Sequence, residues 1–284
     1  MRVPELPFDM LRNVCLLHRS VNDVWNATAA FGLVDLRWDA RFCAEWCVRH
    51  MQPGSILTII LRTGKTDAWI TECVRHACKL GCEVDAADAN GRTALMHAAV
   101  YGASDVVAAL LTAGAAVNAA DARGSTALIE ATKWCRSDAV AALLAAGAAV
   151  NAADAHGTTA LMHAARWGST NGVAALLAAG AAVNVADWYS CTALMYAARL
   201  GKAEVLPLLL AEGAAVNGAD ANRCTALMQA ARWGSTKVVA SLLAAGAAID
   251  VADADGCTAL MYAVRFQKAK VVEVLLAAGA TVNA

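Results

Sequence analysis

Cysteine and histidine residues in the first third of the chain are of the types that bind metal. They lie in two segments, Cys43-x3-Cys47-x2-His50 and Cys73-x2-His76-x-Cys78-x3-Cys82. Thiolate and imidazole groups are the usual ligands of tetrahedral zinc, but both segments lack the paired C-x2-C knuckles typical of structural zinc sites. The alternative is a set of small thiols buried on helices, where free cysteine is common. We adopt the second interpretation and predict neither a metal nor another cofactor.

No arrangement typical of an enzyme active site occurs elsewhere in the sequence. A Gly-rich phosphate loop, a G-x-S-x-G nucleophile turn and an H-E-x-x-H zinc helix are all missing. The acidic residues of the later two-thirds of the chain fall mainly at turn positions, where local hydrogen bonding accounts for them. The sequence therefore predicts a non-catalytic protein.

The composition narrows the class of protein further. Of 284 residues, 59% are hydrophobic and 17% are charged, but no stretch reaches the ~20 uninterrupted apolar residues that span a bilayer. The net charge of −1 gives no general attraction for nucleic acid or membrane surfaces. The ten cysteines are irregularly spaced, which favours reduced thiols, and the N-terminal residues do not form an apolar signal segment. We expect an intracellular protein, cytoplasmic or nuclear.

A period of 33 residues organises the chain from residue 88 to residue 284. An aspartate, a threonine, a leucine pair and a glycine recur in fixed phase, which predicts six copies of one supersecondary unit. The aspartates are Asp88, Asp121, Asp154, Asp187, Asp220 and Asp253, and the threonines are Thr93, Thr126, Thr159, Thr192, Thr225 and Thr258.

The first copy can be interpreted residue by residue. Asp88 and Gly91 are typical of a tight turn, and Thr93 is a residue that caps a helix start. The pattern predicts a helix over residues 94–101 and a second over residues 104–113. Both are shorter than the ~12–15 residues that an isolated helix needs. Their stability must come from stacking on neighbouring copies, as in a solenoid.

The unit D-x-x-G-x-T-A-L-M-x-A-A-x-x-G…V-x-x-L-L-x-x-G-A-x-V-N resembles the ankyrin repeat in period, element order and landmark residues. Thr-Ala-Leu-Met stands where the ankyrin pattern usually has T-P-L-H. The resemblance implies an all-α fold, an ankyrin-repeat α-solenoid of helix–turn–helix units with hairpin loops. Residues 55–87 are similar to a divergent capping repeat, in which we expect a longer second helix.

The variable residues that end the first helix of each copy form a row at 33-residue spacing. We call this row the aromatic–basic ladder. Its members are Tyr101, Lys133, Trp134, Arg166, Trp167, Arg199, Arg232, Trp233, Arg265 and Phe266. Trp, Tyr and Arg are enriched at interface hot spots, and in ankyrin-like proteins this helix end and the hairpin tip form a concave binding surface. The alternative is that the arginine stems cover the tryptophan faces inside the protein.

Two further aromatic residues, Trp188 and Tyr189, interrupt the turn pattern of the fourth copy. At an exposed tip they would mark the centre of contact, whereas folded back they would pack on Trp167 and Leu200. The basic residues of the ladder predict a protein partner that presents acidic and apolar groups. A single row of basic residues on a neutral chain does not favour nucleic acid.

Residues 1–54 lie outside the 33-residue period and are predicted to form a small helical segment. The pattern Leu-Pro-x-x-Met-Leu-x-x-Val at its start is similar to an F-box, a helical module that docks substrate adaptors onto ubiquitin-ligase cores. The resemblance, over residues 6–31, implies docking by Leu6, Pro7, Met10, Leu11 and Val14 to a Skp1-like linker protein. The later part of the F-box pattern is missing, and the alternative is a helical cap over the first repeat.

The sequence thus predicts a non-catalytic scaffold that binds a protein partner on its repeats. One alternative is a substrate-recruiting adaptor of an SCF-type ubiquitin ligase, with the N-terminal segment bound to the ligase core. Another is a structural subunit of a larger assembly.

Overall fold

The computed structural model describes residues 67–282, and these residues fold as a row of short helix pairs. Within this range there are α-helices and no strands, which confirms the predicted all-α solenoid. The helices are α1 Asp67–Lys79, α2 Ala94–Tyr101, α3 Ser104–Thr112, α4 Ala127–Lys133, α5 Ser137–Ala145, α6 Ala160–Trp167, α7 Thr170–Ala178, α8 Ala193–Arg199, α9 Leu206–Ala211, α10 Ala226–Trp233, α11 Thr236–Ala244, α12 Ala259–Arg265 and α13 Ala269–Ala277.

The landmark residues start each pair. The Asp88 carboxylate accepts hydrogen bonds from the backbone N–H groups of Asn90 (2.9 Å) and Arg92 (3.0 Å), which closes the turn. The Thr93 hydroxyl then accepts from the Met96 N–H at 3.4 Å, which caps α2. The same aspartate-closed turn and the same threonine helix cap recur in all six copies.

Two rows of helices enclose the core. The first helices of successive copies pack side by side, and so do the second helices, with α1 packed on α3 at one end. Ala98 and Ala99 are fully buried, because their small side chains allow close helix approach. The segment that we predicted as a divergent repeat supplies α1, which at 13 residues is longer than the 9-residue second helix α3. In the fourth copy the second helix, α9, is shorter and follows the 3₁₀ turn Ala203–Val205, with Pro207 in its first turn.

Asparagine side chains connect neighbouring copies on the hairpin side. The Asn118 amide oxygen accepts from the Ala149 N–H at 2.7 Å, and its NH₂ group donates to the Gly147 carbonyl at 3.5 Å. Asn151, Asn184 and Asn217 repeat both contacts one copy further on. This link between copies satisfies backbone groups that the short loops leave outside any helix.

Four residues other than glycine have a left-handed backbone at positions where other copies have glycine. They are Cys135 (φ 54°), Ser190 (φ 58°), Arg223 (φ 62°) and Gln267 (φ 56°). Gly102, which follows α2 and is the equivalent of Cys135 and Gln267 in the first copy, has a φ of 74°. Left-handed backbone costs an L-residue about 1–2 kcal/mol, so these four positions are strained.

Gln267→Gly is expected to raise the free energy of unfolding by about 0.5 kcal/mol. Glycine removes the left-handed strain at φ 56°, and this gain exceeds the extra entropy that glycine adds to the unfolded chain. Thermal unfolding followed by circular dichroism measures the change. Gln267→Ala is the matched control, since alanine keeps the strain; a gain from alanine equal to that from glycine would contradict the explanation.

Candidate binding surface

The ladder aromatics lie on the surface. Tyr101, Trp134, Trp167 and Trp233 are between 52% and 59% exposed, and Phe266 is exposed to a lesser degree. Each ends, or directly follows, the first helix of its copy, so the helix boundary places the ring at the edge of the helix row. Large aromatic side chains in register on a surface are typical of interaction sites.

The tip of the fourth copy is exposed as well. Trp188 is 73% and Tyr189 67% exposed, because Asp187 holds the turn by accepting from the N–H groups of Tyr189 and Cys191. The Trp188 indole meets the His156 ring edge to face, with 5.9 Å between centroids. Its ring contact is therefore with the preceding hairpin tip, and most of its surface remains accessible to solvent.

The ladder arginines Arg166, Arg199 and Arg232 lie over aromatic rings of the protein itself. The Arg199 guanidinium lies 4.9 Å from the centre of the Tyr196 ring, and that of Arg232 lies 4.9 Å from the centre of Phe266 in the next copy. Arg166 lies 5.9 Å from the ring centres of both Trp167 and Tyr196. Arginines therefore do stack on aromatic rings within the protein, which was the alternative to a binding surface in the sequence analysis. The stacking involves mainly the Tyr and Phe rings, and the tryptophans stay more than half exposed.

A second column of side chains lies beneath the ladder, and the sequence analysis missed it. It occupies the ninth position after each turn aspartate: His97, Glu130, His163, Tyr196, Gln229 and Tyr262. Tyr196 and Tyr262 each donate a 2.6 Å hydrogen bond to the turn aspartate of their own copy. The available signal was the single variable polar position inside T-A-L-M-x-A-A, which needs a partner when its helix is packed.

Glu130 is the acidic member of this column and is buried. Its carboxylate accepts from the Ser125 hydroxyl at 2.7 Å and pairs with Lys133 at 3.1 Å and with the Arg92 guanidinium of the preceding copy. Burial alone would raise the pKa of Glu130. The hydrogen bond from Ser125 and the charges of Lys133 and Arg92 outweigh burial, so this pKa lies below its usual value.

His163 occupies the same position in the third copy, but there the surroundings favour the neutral form of the side chain. Burial removes the ring from water and the charge of Lys133 repels a proton, and together they lower the pKa of His163 to about 4 despite the nearby Asp154. The ring Nε2 is 3.7 Å from the Asp154 carboxylate, too far for a hydrogen bond. His163 is therefore neutral at pH 7.

Glu130 and His163 line a groove of about 820 Å³, which lies between the hairpin tips and the first-helix ends of the first three copies. Four basic residues contribute to its walls, together with Asp121, Glu130, His163 and the indoles of Trp134 and Trp167. The basic residues are Arg92, Arg123, Lys133 and Arg166. The groove thus joins the ladder to the buried column below it.

Two thiols of the repeats, Cys191 and Cys224, are unsuited to nucleophilic chemistry. Burial and the neighbouring carboxylates, Asp187 for the first and Asp220 and Asp253 for the second, raise the pKa values of Cys191 and Cys224 to about 11. Almost no thiolate is then present at neutral pH. Burial also raises the pKa values of Cys78 on α1 and of Cys82, which follows that helix. Within residues 67–282, no three His, Cys, Asp or Glu side chains form a group that could hold a metal ion.

Comparison with protein families identifies the repeat. The family model described as ankyrin repeats, three copies, matches residues 50–121, 67–154, 114–187, 152–220 and 194–284 in overlapping windows. The chain belongs to the ankyrin-repeat family. Ankyrin repeats are protein–protein interaction modules, which agrees with the exposed ladder. No curated protein matches the sequence.

Two other predictions have separate outcomes. The F-box-like residues Leu6, Pro7, Met10, Leu11 and Val14 lie outside the described residues, and also outside the part matched by the ankyrin family model. Cys43, Cys47 and His50, the first of the two metal-type segments, also lie outside the described residues. None of the helices in residues 67–282 combines the length and apolar character required of a membrane span.

Proposed function

We propose that the protein is a non-catalytic scaffold that binds a partner protein across the aromatic–basic ladder and the tip residues Trp188 and Tyr189. The observation that carries the proposal is the exposure of five ladder rings in one repeat register, together with the two exposed rings at the tip of the fourth copy. Aromatic rings supply large contact area with few rotatable bonds, so they bind at low entropic cost. The arginines that stack beside them add positive charge at the rim, which favours a partner with acidic and apolar groups.

The test compares partner capture by three forms of the full chain. Wild type and a Trp167→Ala/Trp188→Ala/Trp233→Ala variant are used as bait in a cell lysate, and bound proteins are quantified by mass spectrometry. We expect the main wild-type partner to fall at least tenfold in the variant, because three exposed indoles are lost. Circular dichroism checks that the variant is folded.

A Leu80→Ala/Leu276→Ala variant serves as the control. Both leucines are exposed apolar side chains at the ends of second helices, away from the ladder. The control should retain the partner. Equal capture by all three forms, or equal loss from both variants, would reject the ladder as the binding surface.

A second candidate function is that of a subunit in a larger assembly, which the apolar surface of the sixth copy favours. Met261 is 37% exposed, whereas its equivalents Met162, Met195 and Met228 are buried, and Val264 beside it is also exposed. A partner retained by the ladder variant and lost on Val264→Asp would support this role. The ubiquitin-ligase adaptor role stays a prediction that rests on residues 6–31.

A further inference from the structure

The groove beneath the ladder has a positive lining in a chain whose net charge is −1. Four basic and two acidic side chains line it, which leaves a local charge of +2 because His163 is neutral at pH 7. The groove therefore differs from the rest of the surface in charge, and it favours an anionic occupant.

The two acids of the groove are already engaged. Glu130 holds Arg92 and Lys133, and one oxygen of Asp121 accepts from the backbone N–H groups of Arg123 and Ser125. Arg123 and Arg166 are exposed, and among residues 67–282 no carboxylate lies within ion-pair distance of either guanidinium. The excess positive charge is therefore at these two arginines.

Unpartnered polar atoms provide an independent indication of a ligand. In the described part of the chain, two buried side-chain nitrogens have no hydrogen-bond partner, Arg92 Nε and His163 Nε2. Both residues line this groove, and His163 is more than nine-tenths buried. Buried polar groups in folded proteins are almost always paired, so each exception calls for an explanation. Both exceptions lie in the wall of this groove, with the nearest carboxylate oxygen 3.8 Å from Arg92 Nε and 3.7 Å from His163 Nε2.

The indoles of Trp134 and Trp167 define the rest of the ligand. Both line the groove and are more than half exposed, so they offer apolar area beside the arginines. We propose that the groove binds an acidic segment of a partner protein, with its carboxylates on Arg123 and Arg166 and adjacent apolar side chains over Trp134 and Trp167. This inference rests on the proposed function, because it names the part of the partner that the ladder region recognises. A nucleic acid fits less well, since a phosphate backbone needs an extended basic surface and the chain offers a single row of basic residues at a net charge of −1.

The experiment selects ligands without assuming a sequence. A phage library of random twelve-residue peptides is panned on the wild-type chain, and the most enriched peptide is titrated by fluorescence polarisation. We expect enriched peptides to combine Asp or Glu with Leu, Phe or Trp. Arg123→Glu/Arg166→Glu should weaken binding at least tenfold, because it replaces attraction with repulsion.

Lys237→Glu/Lys270→Glu is the control for total charge. It makes the same change in net charge at exposed positions on α11 and α13, outside the groove and the ladder, and should leave the affinity unchanged. Thermal unfolding of both variants checks that they are folded.

The other outcomes separate this inference from the proposed function. Binding that is lost on Trp188→Ala/Tyr189→Ala but not on Arg123→Glu/Arg166→Glu would overturn the groove proposal and leave the tip residues of the proposed binding surface as the contact. Binding that none of the ladder or groove variants alters would overturn both. The proposal that the groove binds an acidic segment also fails if no acidic peptide is enriched. It fails as well if the oligonucleotide dT15 binds as tightly as the selected peptide and its binding depends on the same arginines.

Discussion

Leu176→Ala is expected to lower the free energy of unfolding by about 3 kcal/mol. Leu176 lies on α7 in the third copy and is fully buried in the core between the two helix rows. Truncation to alanine removes the transfer free energy of the side chain and leaves a cavity that short, tightly packed helices cannot close. Urea unfolding followed by circular dichroism at 222 nm measures the loss.

The same substitution in the sixth copy, Leu275→Ala, tests how the solenoid distributes its stability. Leu275 is as fully buried as Leu176, but its helix α13 has a neighbouring second helix on one side only within the described chain. In a linear repeat array an end unit can unfold while the rest stays folded. We therefore expect Leu275→Ala to add an early, small transition and to shift the main one little. An equal loss in a single transition for both variants would contradict this picture.

The features of the fold that local chemistry determines could be predicted from the sequence. Asp88, Gly91 and Thr93 act within a few residues of their own position, and so the predicted helix 94–101 matches α2. The predicted second helix over residues 104–113 ends at Thr112, one residue earlier, because Gly114 leaves the helical backbone (φ 91°) and the Ala115 N–H donates back to the Leu110 carbonyl. Six copies repeat these signals, which fixes the phase of each landmark.

The contacts that depend on stacking could not be predicted. Arg92 and Glu130 are 38 residues apart, and their pairing follows from the distance between neighbouring copies. The 33-residue spacing aligns Arg166 with Arg199, but it does not show that the Arg166 guanidinium lies over Tyr196 of the next copy. The groove was missed for the same reason, since three copies contribute to its walls.

The second large effect concerns His163, whose replacement by tyrosine is expected to remove an acid sensitivity of the wild-type chain. The copies that carry Tyr196 and Tyr262 at this position show the alternative chemistry, a 2.6 Å hydrogen bond from the phenol to the turn aspartate. His163 makes no such bond to Asp154. His163→Tyr should therefore add a charge-assisted hydrogen bond and raise the free energy of unfolding at pH 7 by about 1 kcal/mol.

The effect of pH follows from the pKa of His163, which is about 4 in the folded chain and 6.5 for an ordinary histidine. As the pH falls below 6.5, the unfolded chain binds a proton that the folded chain rejects, so wild-type stability decreases by about 1.4 kcal/mol per pH unit until the folded histidine titrates near pH 4. Tyrosine does not titrate in this range. The stability difference between His163→Tyr and wild type should thus widen by about 2.5 kcal/mol between pH 7.5 and pH 4.5 in urea unfolding.

Tyr196→His provides the reciprocal test in the fourth copy. The substitution removes the hydrogen bond to Asp187 and places an imidazole where the phenol was. It should introduce a stability loss between pH 6.5 and pH 4 of the same sign as the one that His163 confers. The lowered pKa of Asp154 acts in a different range, because its contribution is present above the usual aspartate pKa and is lost only as the pH falls below that value. If wild type and His163→Tyr lose stability in parallel from pH 7.5 to pH 4.5, the acid sensitivity does not come from His163.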